Sequence, residues 1–418
     1  MAALLLAAIV AADVGAQTAT LDQAALSASV AFGESITYQL RTPWAGAPPR
    51  TVRARFGLPD GLVTARGTAE VTLREGVLDA AYRWRVRGAI VPGVDVAYWF
   101  EVETDDRGAL RTPAARLTYA DEALTWRRAS EGQVEVWYHE GGPAFEAEAL
   151  RGVRTSLTLL RDRYGVRLQR PTRVVLYASL ARMQAALGGG ASPWVGGAAL
   201  SEFNVTVLHA SPGQRDMAAV IAHELTHLVI DHATLNPFGH VPAWLHEGLA
   251  TVVESAILER FPYATILANA VASGELVSLR GITGSFPASG RRAVLAYAQS
   301  NSLVRFIVAR WGEAAVANLL SAYQQGVSDD EAVMTALRLP LSELERAWLE
   351  SLGARSVAFA GLTEPEAPAA LAGGTPPTAP PEERERAPAT AVWASVGVLG
   401  LATVLLIAAR RRGYGRPP

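Results

Sequence analysis

The chain has 418 residues, half of them hydrophobic and 19% charged, and its formal net charge is −2 at pH 7. This length allows two or three domains with their own cores, and the near-neutral charge argues against a nucleic-acid-binding protein. The absence of cysteine excludes disulfides, thiolate metal sites and cysteine nucleophiles, so any metal must be bound by histidines and carboxylates.

The chain begins with an apolar segment, MAALLLAAIVAA, which is followed by the small residues Val14, Gly15 and Ala16. An apolar stretch that ends in small residues is typical of a secretory signal peptide with its cleavage site. We therefore interpret residues 1–16 as a signal peptide, although no basic residue precedes the apolar stretch.

Residues 20–125 show the alternation of apolar and polar side chains that is typical of β-strands. Ile36, Tyr38 and Leu40 follow this pattern, and the turn signal Pro59-Asp60-Gly61 separates two of the predicted strands. Several short strands at this spacing predict an all-β sandwich of the immunoglobulin-like or fibronectin-like type.

Residues 134–353 combine strand and helix patterns. Alternating apolar residues predict strands near Val134–Tyr138, Arg173–Tyr177 and Thr206–Leu208, and a helical period predicts a helix over 143–164 that ends at Gly165. The segment Pro193–Ala199 is predicted to be a loop, and most of the chain after it is helical. Strands that alternate with helices and precede a helical half indicate an α+β domain.

The last part of the chain carries the signs of a membrane anchor. Residues 362–388 are rich in proline, alanine and glutamate and are predicted to be a disordered stalk. Residues 389–409 contain no charged residue and are long enough to span a bilayer as a helix. Three arginines follow at once, which predicts that residues 410–418 are cytoplasmic and that the bulk of a single-pass cell-membrane protein lies outside.

The segment AAVIAHELTHLVID, residues 218–231, contains a complete H-E-x-x-H motif. We expect a helix here, with Ser211 as its N-cap. Because residues four apart lie on the same helix face, the imidazoles of His223 and His227 can bind one metal ion. Glu224 stands beside them, where its carboxylate can take a proton from a water bound to that metal.

A catalytic zinc site needs a third protein ligand and leaves its fourth position to water. The segment VPAWLHEGLATVVE, residues 241–254, supplies Glu247, and nineteen residues separate it from His227. This separation leaves room for a helix end, a loop and the first turn of a returning helix that starts at Pro242. The sequence thus predicts one Zn²⁺ ion bound by His223, His227 and Glu247.

The neighbours of Glu247 have predicted positions of their own. His246 is expected to point away from the metal, because adjacent residues on a helix face different directions. Thr251 and Glu254 lie one and two turns beyond Glu247, so either can orient a ligand histidine through its second ring nitrogen.

The pair HELTH and WLHEGLA resembles the motifs of the gluzincin zinc peptidases, and more closely those of the bacterial peptidase MA-like domains. The resemblance covers residues 134–353 and includes a tyrosine-containing helix followed by a small helical tail. It implies His223, His227 and Glu247 as zinc ligands and Glu224 as the general base. It also makes Tyr297 a candidate hydrogen-bond donor to the oxyanion that forms during peptide hydrolysis.

The resemblance also bears on the substrate. Aminopeptidases of this clan carry a Gly-x-Met-Glu-Asn segment that binds the amino terminus of the substrate, and the corresponding GGAALSEFN, residues 196–204, does not match it. We therefore expect a membrane-anchored endopeptidase that acts on peptides or proteins. The alternative is a non-catalytic cell-surface binding protein with an inactive peptidase-like scaffold.

Overall fold

The structure is a computed structural model that describes residues 19–59, 61, 64–86, 88–188, 196–258, 263–284, 286, 290–354 and 395–396. The chain divides into two compact units, Met1–Ile90 with Val94–Glu122 and Val91–Gly93 with Ala123–Pro418. We call them the N-terminal and the C-terminal unit.

Several sequence predictions fall outside the described residues. These are the signal peptide (1–16), the stalk (362–388), the tail (410–418) and the membrane helix (389–409) apart from Ser395 and Val396. Those two residues form a short strand, so at these positions the structure departs from the predicted helix. Within the described ranges, no helix is both long enough and apolar enough to cross a membrane.

The N-terminal unit consists of two β-sheets. The first has the strand order β1-β9-β8-β4-β5, with β10 also paired to β8, and the second has the order β2-β3-β7-β6. β1 pairs with β9 in parallel, and the other described pairs of this unit are antiparallel. The strands are β1 (Ala19–Thr20), β2 (Ala25–Ala31), β3 (Ser35–Pro43), β4 (Thr51–Gly57), β5 (Thr64–Thr68), β6 (Glu70–Arg74), β7 (Val77–Arg85), β8 (Asp95–Thr104), β9 (Gly108–Arg111) and β10 (Ala115–Thr118).

An aromatic core joins these two sheets. The apolar residues of the alternating pattern in β3, Ile36, Tyr38 and Leu40, are all buried. The ring of Tyr38 stacks on that of Phe56 in β4, with 5.0 Å between the centroids. Because β3 and β4 belong to different sheets, these rings pack the sheets face to face. The prediction of a sheet-rich N-terminal region is confirmed, and its likeness to immunoglobulin or fibronectin domains stays a prediction.

The C-terminal unit is built on a mixed sheet with the order β11-β12-β13-β15-β14-β16. β12, β13 and β15 are parallel, whereas β11, β14 and β16 each run antiparallel to their neighbours. The strands are β11 (Arg127–Glu131), β12 (Val134–Tyr138), β13 (Thr172–Tyr177), β14 (Gly197–Leu200), β15 (Val205–His209) and β16 (Ser395–Val396).

Helices supply the rest of this unit, and their apolar faces share one core with the sheet. The predicted helix over 143–164 is confirmed as α1, which ends at Gly165 in the left-handed conformation with φ 67°. The helices are α1 (Pro143–Tyr164), α2 (Leu180–Ala186), α3 (Met217–Ala233), α4 (Ala243–Glu254), α5 (Tyr263–Ser273), α6 (Arg291–Trp311), α7 (Ala314–Gln324), α8 (Asp329–Leu337) and α9 (Leu341–Ser351), and a 3-10 helix spans Leu279–Ile282.

Two local predictions in this unit are wrong. The predicted loop Pro193–Ala199 overlaps β14, because Gly197 to Leu200 pair with β15 although their small side chains give no alternating pattern. α3 begins at Met217 and not at Ser211, because Gly213 adopts φ +87°, which a right-handed helix cannot contain. Residues 211–214 form a turn in which the backbone N–H of Gln214 donates to the carbonyl of Ser211.

α3 lies at the centre of this unit, where every residue from Met217 to Ile230 is buried. α1 approaches it closely at Gly152, where an added Cβ would lie 2.4 Å from the carbonyl oxygen of Ala218. α4 approaches α6 in the same way at Gly248, where a Cβ would lie 2.6 Å from the carbonyl oxygen of Ser300. These glycines let the helices pack at short range, which fixes α3 and α4 relative to their neighbours.

Candidate metal centre

The structure brings the three predicted ligands together. His223 and His227 face α4 from successive turns of α3, and Glu247 faces them from the first half of α4. Oε2 of Glu247 lies 3.5 Å from Nε2 of His223 and 3.4 Å from Nε2 of His227. One ligand atom from each residue lies within 4.8 Å of the other two, which is close enough for all three to bind a single ion.

The chemistry of these atoms fits a cation. All three are buried, and within the described part of the chain none of them has a hydrogen-bond partner. A buried polar atom without a hydrogen bond costs about 1–3 kcal/mol. The contacts of 3.5 and 3.4 Å among these atoms are longer than good hydrogen bonds, and one cation would satisfy all three atoms. Two imidazole nitrogens and one carboxylate oxygen form a donor set of catalytic zinc sites.

The protonation states of two of these residues already suit a metal. Burial lowers the pKa of His227 to about 4, although the charge of Glu247 opposes this shift. Burial acts to raise the pKa of Glu247, but the neighbouring His227 and His223 lower it well below its usual range. At neutral pH His227 is therefore neutral and Glu247 is ionised, as metal binding requires.

His223 differs from these two. Burial acts to lower its pKa, but the carboxylates of Glu247 and Glu254 raise it well above the usual value. In the metal-free protein His223 is thus protonated at neutral pH, and it must lose a proton before its Nε2 can bind a metal.

Glu254 supports His223 from the outer side. Its Oε2 lies 3.1 Å from Nδ1 of His223, so an Nδ1–H can donate to this carboxylate while Nε2 faces the metal position. Of the two residues that the sequence offers for this role, Glu254 makes the contact. Thr251 donates instead to the carbonyls of Glu247 and Gly248 within its own helix.

His246 is not one of the three clustered residues, but it contacts His227, which the sequence did not predict. Its Nδ1 lies 2.7 Å from Nδ1 of His227, and the two rings are nearly parallel, with 4.6 Å between their centroids. Its Nε2 lies 2.8 Å from Oδ1 of Asp231. Both Glu247 and the residue before it therefore contact side chains of α3. Sequence reasoning missed Asp231, although its position one helical turn after His227 placed it on the same face.

Glu224 is fully buried beside the ligands. Neither of its carboxylate oxygens has a hydrogen-bond partner among the residues that the structure describes. Burial raises its pKa to about 7; the charges of Glu247 and Glu254 act in the same direction, and His223 opposes them. A carboxylate with a pKa near neutrality can both accept and return a proton. The site lies under β14, since a Cβ placed on Gly197 would be 3.4 Å from Oε1 of Glu224.

Two tyrosines lie near these carboxylates. Tyr297 on α6 is 2% exposed, and its ring meets that of Phe286 edge-on at 5.2 Å. Burial raises its pKa well above 10, and the charge of Glu247 adds to this effect, so the phenol keeps its proton. The pKa of Tyr263, at the start of α5, is raised by burial and then by Glu254 and Glu247. No feature of the sequence singled out Tyr263, which becomes a neighbour of the site only through the packing of α5.

Residues 153–354 match the family model of the Peptidase MA superfamily. The chain is similar to the crystal structure of an M1 zinc metallopeptidase from Deinococcus radiodurans, with 17% identity over 84% of this chain and 96% of that one and a TM-score of 0.38. A polysaccharide deacetylase from Bacillus cereus matches with 11% identity over 39% of this chain and 54% of that one, with a TM-score of 0.20. Both scores are too low to bear on the chemistry of the site. No curated protein has significant sequence similarity to this chain.

Proposed function

Residues 153–354 belong to the peptidase MA superfamily, and on this premise we propose that the chain is a zinc metallopeptidase that hydrolyses peptide bonds. One observation carries the proposal. The ligand atoms of His223, His227 and Glu247 face one another without hydrogen-bond partners among the described residues, and the equally partnerless carboxylate of Glu224 lies beside them. A set of core residues chosen only for packing would not concentrate these atoms at one point.

His223, His227 and Glu247 would hold the zinc ion. When bound, zinc supplies a Lewis acid that lowers the pKa of water and polarises a carbonyl group. Glu224 accepts one proton from the attacking water and delivers it to the nitrogen of the leaving amine, so the carboxylate ends the cycle as it began. Tyr297, which stays protonated, donates a hydrogen bond to the oxygen that gains negative charge.

A peptide substrate can pair with the edge of β14. This strand pairs with β15 on one side, and on the other side its main chain accepts an added antiparallel strand, as it does with Ser395–Val396. Extended peptides bind to exposed sheet edges in this way, through main-chain hydrogen bonds. Because Gly197 of β14 lies against Glu224, a peptide on this edge passes near the proposed base. An extended chain bound at its middle is the substrate of an endopeptidase, and we propose this class.

We further propose that the enzyme acts outside the cytoplasm and that a single membrane-spanning segment anchors it. This proposal has its support in the sequence of residues 1–16 and 389–412, with an apolar segment at each end and three arginines after the second. In a bilayer, residues 395–396 would be helical and the edge of β14 would be open to substrate. Membrane fractionation with carbonate extraction tests this placement, and recovery of the full-length protein in the soluble fraction would contradict it.

Zinc analysis and a cleavage assay on matched proteins test the activity. Glu224→Gln keeps the shape of the side chain and all three ligands but removes the proton acceptor. We expect one zinc ion per chain in both proteins and cleavage of a denatured protein substrate by the wild type alone. Fragments with internal new termini, identified by mass spectrometry, would support an endopeptidase. Zinc without cleavage in the wild type would favour the non-catalytic binding protein, and absence of zinc would refute the metal centre.

A further inference from the structure

A chain of hydrogen-bonding groups leads away from the second ligand histidine. Nδ1 of His227 lies 2.7 Å from Nδ1 of His246, and Nε2 of His246 lies 2.8 Å from Oδ1 of Asp231. The other oxygen of Asp231 accepts a hydrogen bond from the hydroxyl of Ser201, in the turn between β14 and β15. These groups thus connect the metal position to the sheet edge through side chains alone.

Metal binding determines which ring nitrogens of His227 and His246 carry protons. If Nε2 of His227 binds the metal as a neutral imidazole, its proton resides on Nδ1, which must donate to Nδ1 of His246. His246 can accept this bond only if its own proton resides on Nε2, and that N–H then donates to Asp231. The hydrogen bonds from His227 to His246 and from His246 to Asp231 thus both point outward from the metal, and Asp231 accepts hydrogen bonds at both of its oxygens.

The position of His246 lets it connect α4 to α3. It belongs to α4, where it precedes Glu247, yet its ring meets that of His227 from α3 at the Nδ1 atoms, with only 10° between the ring planes. Asp231 stands one turn after His227 on α3, so both partners of His246 come from the same helix. A ring held at both nitrogens has little freedom to turn, and this restricts the ring of His227 as well.

We propose that His246 and Asp231 are positioning residues that orient His227 toward the metal. The two ligand histidines then have unequal supports: Glu254 contacts His223 directly, whereas Asp231 acts on His227 through an imidazole. The proposal rests on the metal centre proposed above. Loss of such an outer partner weakens metal affinity by about 10–100-fold, and this is the effect that we expect when His246 can no longer accept a hydrogen bond.

Zinc affinity, measured on the full-length protein by competition with a chelator, tests the proposal. His246→Leu removes the acceptor, whereas His246→Asn places an amide oxygen where Nδ1 now stands. His232→Leu is the matched control. Like Asp231, His232 connects α3 to the turn between β14 and β15, through a 2.8 Å contact with Asn204, but this contact does not lead to His227. Cobalt(II) substitution adds a readout that does not depend on activity, because its visible spectrum reports the geometry of the ligands.

We expect His246→Leu to lose about 10–100-fold in zinc affinity and to change the cobalt spectrum, His246→Asn to recover most of both, and His232→Leu to match the wild type. Asp231→Leu should weaken zinc binding less than His246→Leu, because it leaves the first acceptor in place. Wild-type affinity in His246→Leu, or equal losses in the asparagine and leucine variants, would overturn the proposal alone. A wild-type protein that binds no zinc would overturn the proposed function together with it.

Discussion

Replacing Glu224 by glutamine should stabilise the metal-free protein above neutral pH, although it removes the proposed catalytic base. The pKa of the buried carboxyl is about 7, compared with 4.5 for a solvated glutamate. At pH values between these two pKa values, Glu224 holds a proton in the folded protein that it has released in the unfolded chain. Stability therefore falls as the pH rises through this interval, and above about pH 7 the full cost of an ionised, buried carboxylate is present.

The magnitude follows from the two pKa values. The interval from 4.5 to about 7 corresponds to about 3 kcal/mol, since each pH unit is worth about 1.4 kcal/mol. Glutamine has nearly the same shape as a protonated glutamate and carries no charge at any pH. We therefore expect the stability of Glu224→Gln to exceed that of the wild type by about 3 kcal/mol at about pH 8.5, and the difference to shrink to about 0.4 kcal/mol at about pH 4.5.

Urea unfolding of both proteins, stripped of metal with a chelator, measures this difference. The free energy of unfolding is taken from the transition of the C-terminal unit at each pH. The low-pH comparison is the internal control, because there both folded side chains are neutral and the unfolded glutamate is only about half ionised. Equal stability at high pH would refute the reasoning, because it would mean that water or a counter-charge reaches the carboxylate.

Three further predictions follow from other contacts of the site. Zinc binding should release a proton at neutral pH, because His223 is protonated in the metal-free protein; calorimetry in two buffers of different ionisation enthalpy measures this release, and identical heats would contradict it. Tyr297→Phe should lower kcat by about 10²–10³-fold with little change in KM if its phenol stabilises the oxyanion, and an unchanged kcat would remove Tyr297 from the mechanism. Gly152→Ala should lower the free energy of unfolding by about 1–3 kcal/mol, because its Cβ would lie 2.4 Å from the carbonyl oxygen of Ala218; an unchanged urea midpoint would show that α1 moves aside freely.

The clustering of the three candidate ligands could be predicted largely because two of them are close in the sequence. His223 and His227 are four residues apart on one helix, so the helical repeat alone places them on the same face. The prediction of Glu247 as the third ligand also required that the chain return to His227 through a short loop. The WLHEGLA motif around Glu247 indicated this return. The alternation in β3 is local in the same sense, since the period of two alone separates the buried side of a strand from the exposed one.

The features that escaped prediction depend on how elements meet. His246 contacts His227 because of the way α4 packs against α3. The helical repeat of α4 alone does not predict how the two helices pack. β14 forms because β15 offers it a partner, although Gly197 and the alanines after it have little intrinsic preference for strands. The predicted start of α3 at Ser211 was wrong for a different reason. The residues around Gly213 favour a turn and a helix about equally, and Gly213, which can adopt positive φ values, forms the turn.

The burial of α3 from Met217 to Ile230 has a consequence for exchange of its amide hydrogens. A helix whose residues Met217 to Ile230 are all covered can expose its backbone to water only when the core around it opens. Its amides should therefore exchange at the slowest rates in the C-terminal unit, with or without metal. A metal centre carried by such a helix does not have to be created by the ion: removal of zinc should leave a folded protein that regains activity when the ion returns.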